Sequence, residues 1–154
     1  WREKDAFERS AESVFPAHLK KHIAVELWSP KLLSLDIFLH LAKCESMCIN
    51  ELAQFVREEI YPSQSLLYSV GETSRVAYLV LKGILAVAYQ EFKAHPGDLS
   101  TGMWVGEKAL INPQLRRNET IICRTLSRLM VTPAEAFQKV LANFGLKRDF
   151  EELL

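Results

Sequence analysis

A glycine and a carboxylate open a short turn at Val105-Gly106-Glu107-Lys108-Ala109-Leu110, and two guanidinium groups follow in Arg116-Arg117-Asn118-Glu119-Thr120. Backbone N–H groups at such a turn can take up anionic oxygens. The Glu107 carboxylate is suited to accept a hydrogen bond from a ribose hydroxyl, and Arg116 or Arg117 to make a charge-assisted contact with a phosphate. The combined chemistry is that of a site for a small phosphorylated sugar. The candidate ligand-binding set is Gly106, Glu107, Lys108, Ala109, Arg116, Arg117, Asn118 and Thr120. Two alternatives stay open at this stage: Glu107 either meets the ligand or caps neighbouring backbone N–H groups, and either arginine can be the phosphate partner.

The same residues resemble the cyclic-nucleotide-binding domain family, whose phosphate-binding cassette runs Phe-Gly-Glu-x-Ala-Leu, a short linker, then Arg-Ala-Ala/Thr-Thr-Val. Val105 to Leu110 is similar to the first half and Arg117 to Ile121 to part of the second. Two upstream motifs extend the resemblance: Tyr68-Ser69-Val70-Gly71-Glu72, like the family's Gly-Asp/Glu turn, and Ala77 to Val87, like its glycine-centred hairpin. Counting from Glu107 selects Arg116 as the phosphate partner, whereas alignment on Thr120 selects Arg117, the preferred choice. Val105 stands where the family has an aromatic residue. Glu119 stands where it has a small one beside the phosphate, so it is expected either to repel the anion or to pair with the arginine and neutralise the site. Losing a charge-assisted contact of about 1.5–3 kcal/mol lowers affinity roughly ten- to a hundredfold.

The elements that must position this cassette are legible as pattern. A chain of 154 residues can bury a substantial core. Leu19, Ile23 and Leu27 recur at helical spacing after Phe15-Pro16; Ser29-Pro30 is expected to end that helix. Further helices are expected from Lys31 to about Lys43 and from Ile49 to Glu59. Beyond Ile60 the pattern changes to short β runs: Leu66–Tyr68, Ala77–Leu81 and Ile84–Tyr89 around Lys82-Gly83, a loop at His95-Pro96-Gly97-Asp98, then Thr120–Cys123 and Ser127–Val131. Thr132-Pro133-Ala134-Glu135 reads as a helix start with threonine as N-cap, and Gly145 as its end. Leu146 to Leu154 begins another amphipathic helix. The expected class is α+β, a β-roll or jelly-roll barrel preceded by linker helices and followed by C-terminal helices, with a helical linker over 1–48 and a cyclic-nucleotide-binding-like domain over 49–154, its last helix cut short.

Nineteen Lys and Arg balance nineteen Asp and Glu, so there is no basic surplus to support nucleic-acid binding. Leu32 to Ala42 and Val76 to Tyr89 are interrupted by charge and too short to span a membrane. The piece is expected to be soluble and, starting at Trp1 and stopping in a charged helical pattern, an excerpt of a longer protein. Cys44, Cys48 and Cys123 read as reduced thiols. His40, Cys44 and Cys48, spaced along one helix, lie too far apart to converge on zinc, so neither a metal nor a cofactor is expected. No nucleophile and base can be paired, which argues against an enzyme.

Val14-Phe15-Pro16-Ala17-His18-Leu19-Lys20-Lys21-His22-Ile23 resembles the Leu-Pro-x-x-Leu-Arg-x-x-Ile stretch that ends the C-linker of voltage-gated cation channels carrying this domain. That resemblance implies a regulatory domain on the cytoplasmic side of a membrane protein, a potassium or cyclic-nucleotide-gated channel, coupling cAMP or cGMP to gating. Its partners would be other channel subunits in a homotetramer. In the family the final helix closes over the nucleotide. The alternative is a degenerate homologue that keeps the architecture, binds no nucleotide and serves assembly or protein interaction.

Overall fold

The computed structural model describes residues 15–90 and 97–152. Val14, His95, Pro96, Leu153 and Leu154, all used in the sequence reading, lie outside them. The chain divides into two compact units, one ending at Gln54 and the other beginning at Phe55.

The first unit is helical: α1 (Ala17–Leu32), α2 (Asp36–Cys44) and α3 (Met47–Ala53). Trp28, Leu32, Phe38, Leu41, Cys48, Ile49 and Leu52 are buried, and Lys21 Nζ donates to Glu51 Oε1 at 2.7 Å between α1 and α3. The expected break at Ser29-Pro30 does not occur, because α1 runs through Pro30 to Leu32. Pro30 brings no N–H to the helix, so α1 forfeits one intrahelical bond in its last turn. The turn that ends α1 is closed instead by Ser34, whose hydroxyl donates to Lys31 O at 2.7 Å.

Among the described residues the second unit holds two antiparallel sheets and three helices. Strands β1 (Arg57–Tyr61), β7 (Ser127–Pro133), β3 (Val76–Lys82) and β5 (Trp104–Val105) form one sheet in that order. Strands β2 (Ser65–Tyr68), β6 (Glu119–Cys123) and β4 (Leu85–Gln90) form the other. The α+β class stands, but the two sheets stay open and do not close into one barrel. Between them Tyr78, Val80, Val105, Leu129 and Val131 of the larger sheet meet Tyr68, Leu85, Ile121 and Cys123 of the smaller. Alternation of period two puts these residues on one face. Ala77, Leu79 and Met130 on the opposite face of the larger sheet are buried as well. Helices α4 (Lys108–Ile111) and α5 (Ala134–Asn143) pack against β3 and β7 respectively.

Arg57-Glu58-Glu59, expected to end a helix, instead begins β1 and pairs with β7 from Arg57↔Val131 to Tyr61↔Ser127. Its charges suit an edge strand: Arg128 Nε donates to Glu58 Oε1 at 2.6 Å across the pair, and Arg57 Nε to Glu59 Oε1 at 2.9 Å. The expected cap at Thr132 is also corrected. Thr132 is in β7 opposite Ala77, and Pro133 occupies the cap position of α5 without a side-chain cap bond. Sheet pairing has taken the threonine backbone that the capping box would use. At the other end of α5, Gly145 N donates to Ala142 O and Leu146 N to Leu141 O, closing the helix where expected before α6 (Lys147–Glu151).

Candidate functional site

Strand β5 hydrogen-bonds to β3 through Tyr78↔Val105 and so delivers the chain to Gly106 at the edge of the larger sheet. Gly106 has φ +70°, a left-handed conformation that turns the backbone sharply into α4. Ala109 N donates to Gly106 O and Leu110 N to Glu107 O. After α4 the segment 115–117 is laced to the β2–β3 loop. Ser74 N donates to Leu115 O, Arg117 N to Glu72 O and Gly71 N to Arg117 O, the last two at 2.8 Å. The Gly71-Glu72 turn thus anchors the arginine backbone, and β6 starts two residues later at Glu119.

Arg117 is the inward arginine, with only 7% of its surface exposed. Its Nη2 donates to Val76 O at 2.7 Å and its Nη1 to Gly106 O at 3.3 Å. The guanidinium carbon sits 4.1 Å from the centre of the Tyr68 ring, a cation–π arrangement. A Cβ at Gly106 would collide with this guanidinium, so the glycine supplies both the turn and the space. Arg116 points elsewhere: it is exposed, and its Nη1 donates to Gly71 O at 2.9 Å.

Glu119 does not neutralise Arg117. Among the described residues no ion pair joins them; the Tyr68 hydroxyl donates to Glu119 Oε1 at 2.9 Å instead. Burial and then the Glu119 carboxylate raise the Tyr68 phenol above its ordinary range, against the opposing pull of Arg117. Glu107 is half-buried, and its carboxylate caps no backbone N–H and has no hydrogen-bond or ion-pair partner among the described residues. The capping alternative for Glu107 therefore has no support in the geometry.

Tyr68, Ser74, Gly106, Glu107, Lys108, Ala109, Leu115, Arg116, Arg117, Asn118 and Glu119 line one concavity of about 340 Å³. Seven of the eight residues singled out in the sequence thus share a wall. Thr120 is the exception: its hydroxyl accepts from Val70 N at 3.0 Å and ties β6 to the β2–β3 loop. Tyr68, the platform under the arginine, was not singled out. Its signal lay in the register, since pairing of β2 with β6 sets Tyr68 opposite Ile121, adjacent to the cassette. Helices α5 and α6 contribute nothing to this wall, although Gln138 Nε2 on α5 donates to Leu110 O on α4 at 2.7 Å.

The profile of the family described as cyclic nucleotide-binding domain matches residues 58–144. The chain belongs to the cyclic nucleotide-binding domain family. The matched span covers both sheets, the concavity and α5. Among curated proteins none matches the chain. No helix among the described residues is long and apolar enough to cross a membrane.

Proposed function

We propose that this cyclic nucleotide-binding domain takes up cAMP or cGMP in the concavity around Arg117, as a non-catalytic regulatory module of a cation channel of the potassium or cyclic-nucleotide-gated type. One observation carries the nucleotide reading. Arg117 is a buried cation whose guanidinium has two carbonyl oxygens and an aromatic face around it but no carboxylate within ion-pair distance. Buried charges are ordinarily compensated by an opposite charge. A phosphate supplies that charge, and the unpartnered Glu107 in the same wall supplies an acceptor for the sugar hydroxyls.

The channel context rests on the Phe15-Pro16 motif and on three helices preceding the domain. Gln138 offers a route for the signal, because it bonds the helix after the sheets to the helix of the cassette. A ligand shifts such a system only if it binds one arrangement of these helices better than the other.

The test is titration calorimetry of the 154-residue chain with cAMP and cGMP, repeated for Arg117→Ala. Binding that weakens roughly ten- to a hundredfold in the variant is the expected result. Unchanged affinity would refute the assignment of Arg117. The second reading, a non-binding homologue acting in assembly, draws on the guanidinium's existing bonds to Val76 O and Gly106 O; it predicts no heat with either nucleotide.

A further inference from the structure

We propose that the Tyr68–Glu119 pair makes the concavity selective for phosphate charge, admitting the monoanionic diester of a cyclic nucleotide and rejecting the dianionic phosphate of the corresponding linear one. The inference rests on the nucleotide reading above. Its basis is the charge balance of the lining residues: Lys108, Arg117 and, turned outward onto Gly71 O, Arg116 stand against Glu107 and Glu119, leaving one formal positive charge for the ligand to neutralise. A monoanion meets that balance. A dianion overshoots it beside a carboxylate that Arg117 does not neutralise.

Glu119 is held where it matters. Its Oε1 accepts from the hydroxyl of Tyr68, whose ring carries the Arg117 guanidinium 4.1 Å from its centre. Carboxylate and cation are therefore spaced by one tyrosine, and an anion drawn to Arg117 must come near Glu119. At a separation of roughly 7 Å, one additional negative charge costs about threefold in affinity in a water-like dielectric and about fiftyfold at an effective dielectric of 20, so a factor of around ten is expected. Tyr68 moderates the repulsion, since its O–H withdraws part of the carboxylate charge.

The experiment measures the ratio of dissociation constants for 5′-AMP and cAMP on the whole chain, Glu119→Gln and Tyr68→Phe, at pH 7.5 and 5.5. The wild type should favour cAMP. Glu119→Gln, which keeps the shape and removes the charge, should shrink the ratio about tenfold, chiefly through tighter 5′-AMP binding. Tyr68→Phe keeps the ring under Arg117 and exposes the bare carboxylate, so the ratio should widen. Acidification converts a phosphate monoester, with its second pKa near 6, to a monoanion, and no histidine among the described residues lines the wall; the wild-type ratio should narrow at pH 5.5 and that of Glu119→Gln should change less.

A ratio unmoved by Glu119→Gln, or cAMP tightening as much as 5′-AMP, overturns the charge selectivity while leaving the nucleotide site intact. A ratio that does not widen in Tyr68→Phe removes the tyrosine from the device. Binding by Glu119→Gln alone makes Glu119 a block, not a selector, and also overturns the inference. Binding of neither nucleotide by any form refutes the nucleotide reading itself.

Discussion

Replacing Gly106 by alanine tests whether the turn and the arginine form one structural unit. Gly106 has φ +70°, and a Cβ there collides with the Arg117 guanidinium; Gly71 has φ +86° but a Cβ would meet no atom within 4 Å. Gly71→Ala therefore measures the left-handed penalty alone, about 1 kcal/mol. Gly106→Ala carries the same penalty and also expels the guanidinium from Gly106 O, Val76 O and the Tyr68 face. Each charged hydrogen bond is worth about 1.5–3 kcal/mol. Solvation of the released cation returns part of that, so the additional cost should be about 1–2 kcal/mol. In a unit of this size each kcal/mol lowers the melting temperature by about 4–8 °C. The assay is thermal and urea denaturation of both single variants and of Gly106→Ala combined with Arg117→Ala. With the guanidinium gone, Gly106→Ala should cost no more than Gly71→Ala, giving a coupling of about 1–2 kcal/mol. Additivity of the double variant to within ~0.5 kcal/mol, or equal costs for the two glycine variants, would refute the idea that Gly106 makes room for Arg117.

Other perturbations have equally definite outcomes. Arg117→Lys should recover less than half of the binding free energy lost in Arg117→Ala, because an ammonium cannot reach Val76 O, Gly106 O and the Tyr68 face together; calorimetry with cAMP measures it. Gln138→Ala leaves Leu110 O without its side-chain donor and should cost about 1 kcal/mol in urea denaturation, with faster amide exchange in α5. Burial, followed by the carboxylate of Glu45, lifts the Cys48 thiol from 9.0 to about 11. Because its folded-state value is the higher one, the stability it contributes is complete below pH 9 and is lost as pH rises toward 11. A Cys48→Ala variant should show a flatter decline in stability between pH 9 and 10 than the wild type, by up to ~1 kcal/mol.

The strands around Gly83 and the grouping of Gly106 to Asn118 in one wall could be read in advance because their information is local. The unbroken apolar run Ala77–Leu81, and the apolar Ile121 and Cys123 within Thr120–Cys123, report strands against a core directly, and the cassette residues from Gly106 to Asn118 are nearly contiguous. What was misread depends on partners distant in the chain. Arg57-Glu58-Glu59 has the composition of a solvated helix end, and only β7 alongside, with Arg128 reaching Glu58 diagonally across the pair, makes it a strand. Thr132-Pro133-Ala134-Glu135 carries a strong capping signal, overridden because Thr132 is claimed by Ala77 across the ladder. Tyr68 escaped notice for the same reason: its value to the site arises from Arg117 and Glu119, both about fifty residues later.

The choice between Arg116 and Arg117 shows how the scaffold, and not the motif, decides the chemistry. Both residues occupy the second half of the cassette, and spacing alone left them nearly equivalent. The β2–β3 loop breaks the tie. By taking Arg117 N on Glu72 O and returning Gly71 N to Arg117 O, it fixes the backbone so that Arg117 points between the sheets. The neighbouring Arg116 necessarily faces out, to Gly71 O. A buried arginine costs solvation unless something answers its charge. Two carbonyls and a tyrosine face answer it in part and hold the guanidinium in one orientation, so the entropic cost of ordering it is met before a ligand arrives. On the proposed reading the missing counter-charge is what a phosphate contributes on binding, and the anion's affinity then depends on a turn at Gly71-Glu72 that need not touch it.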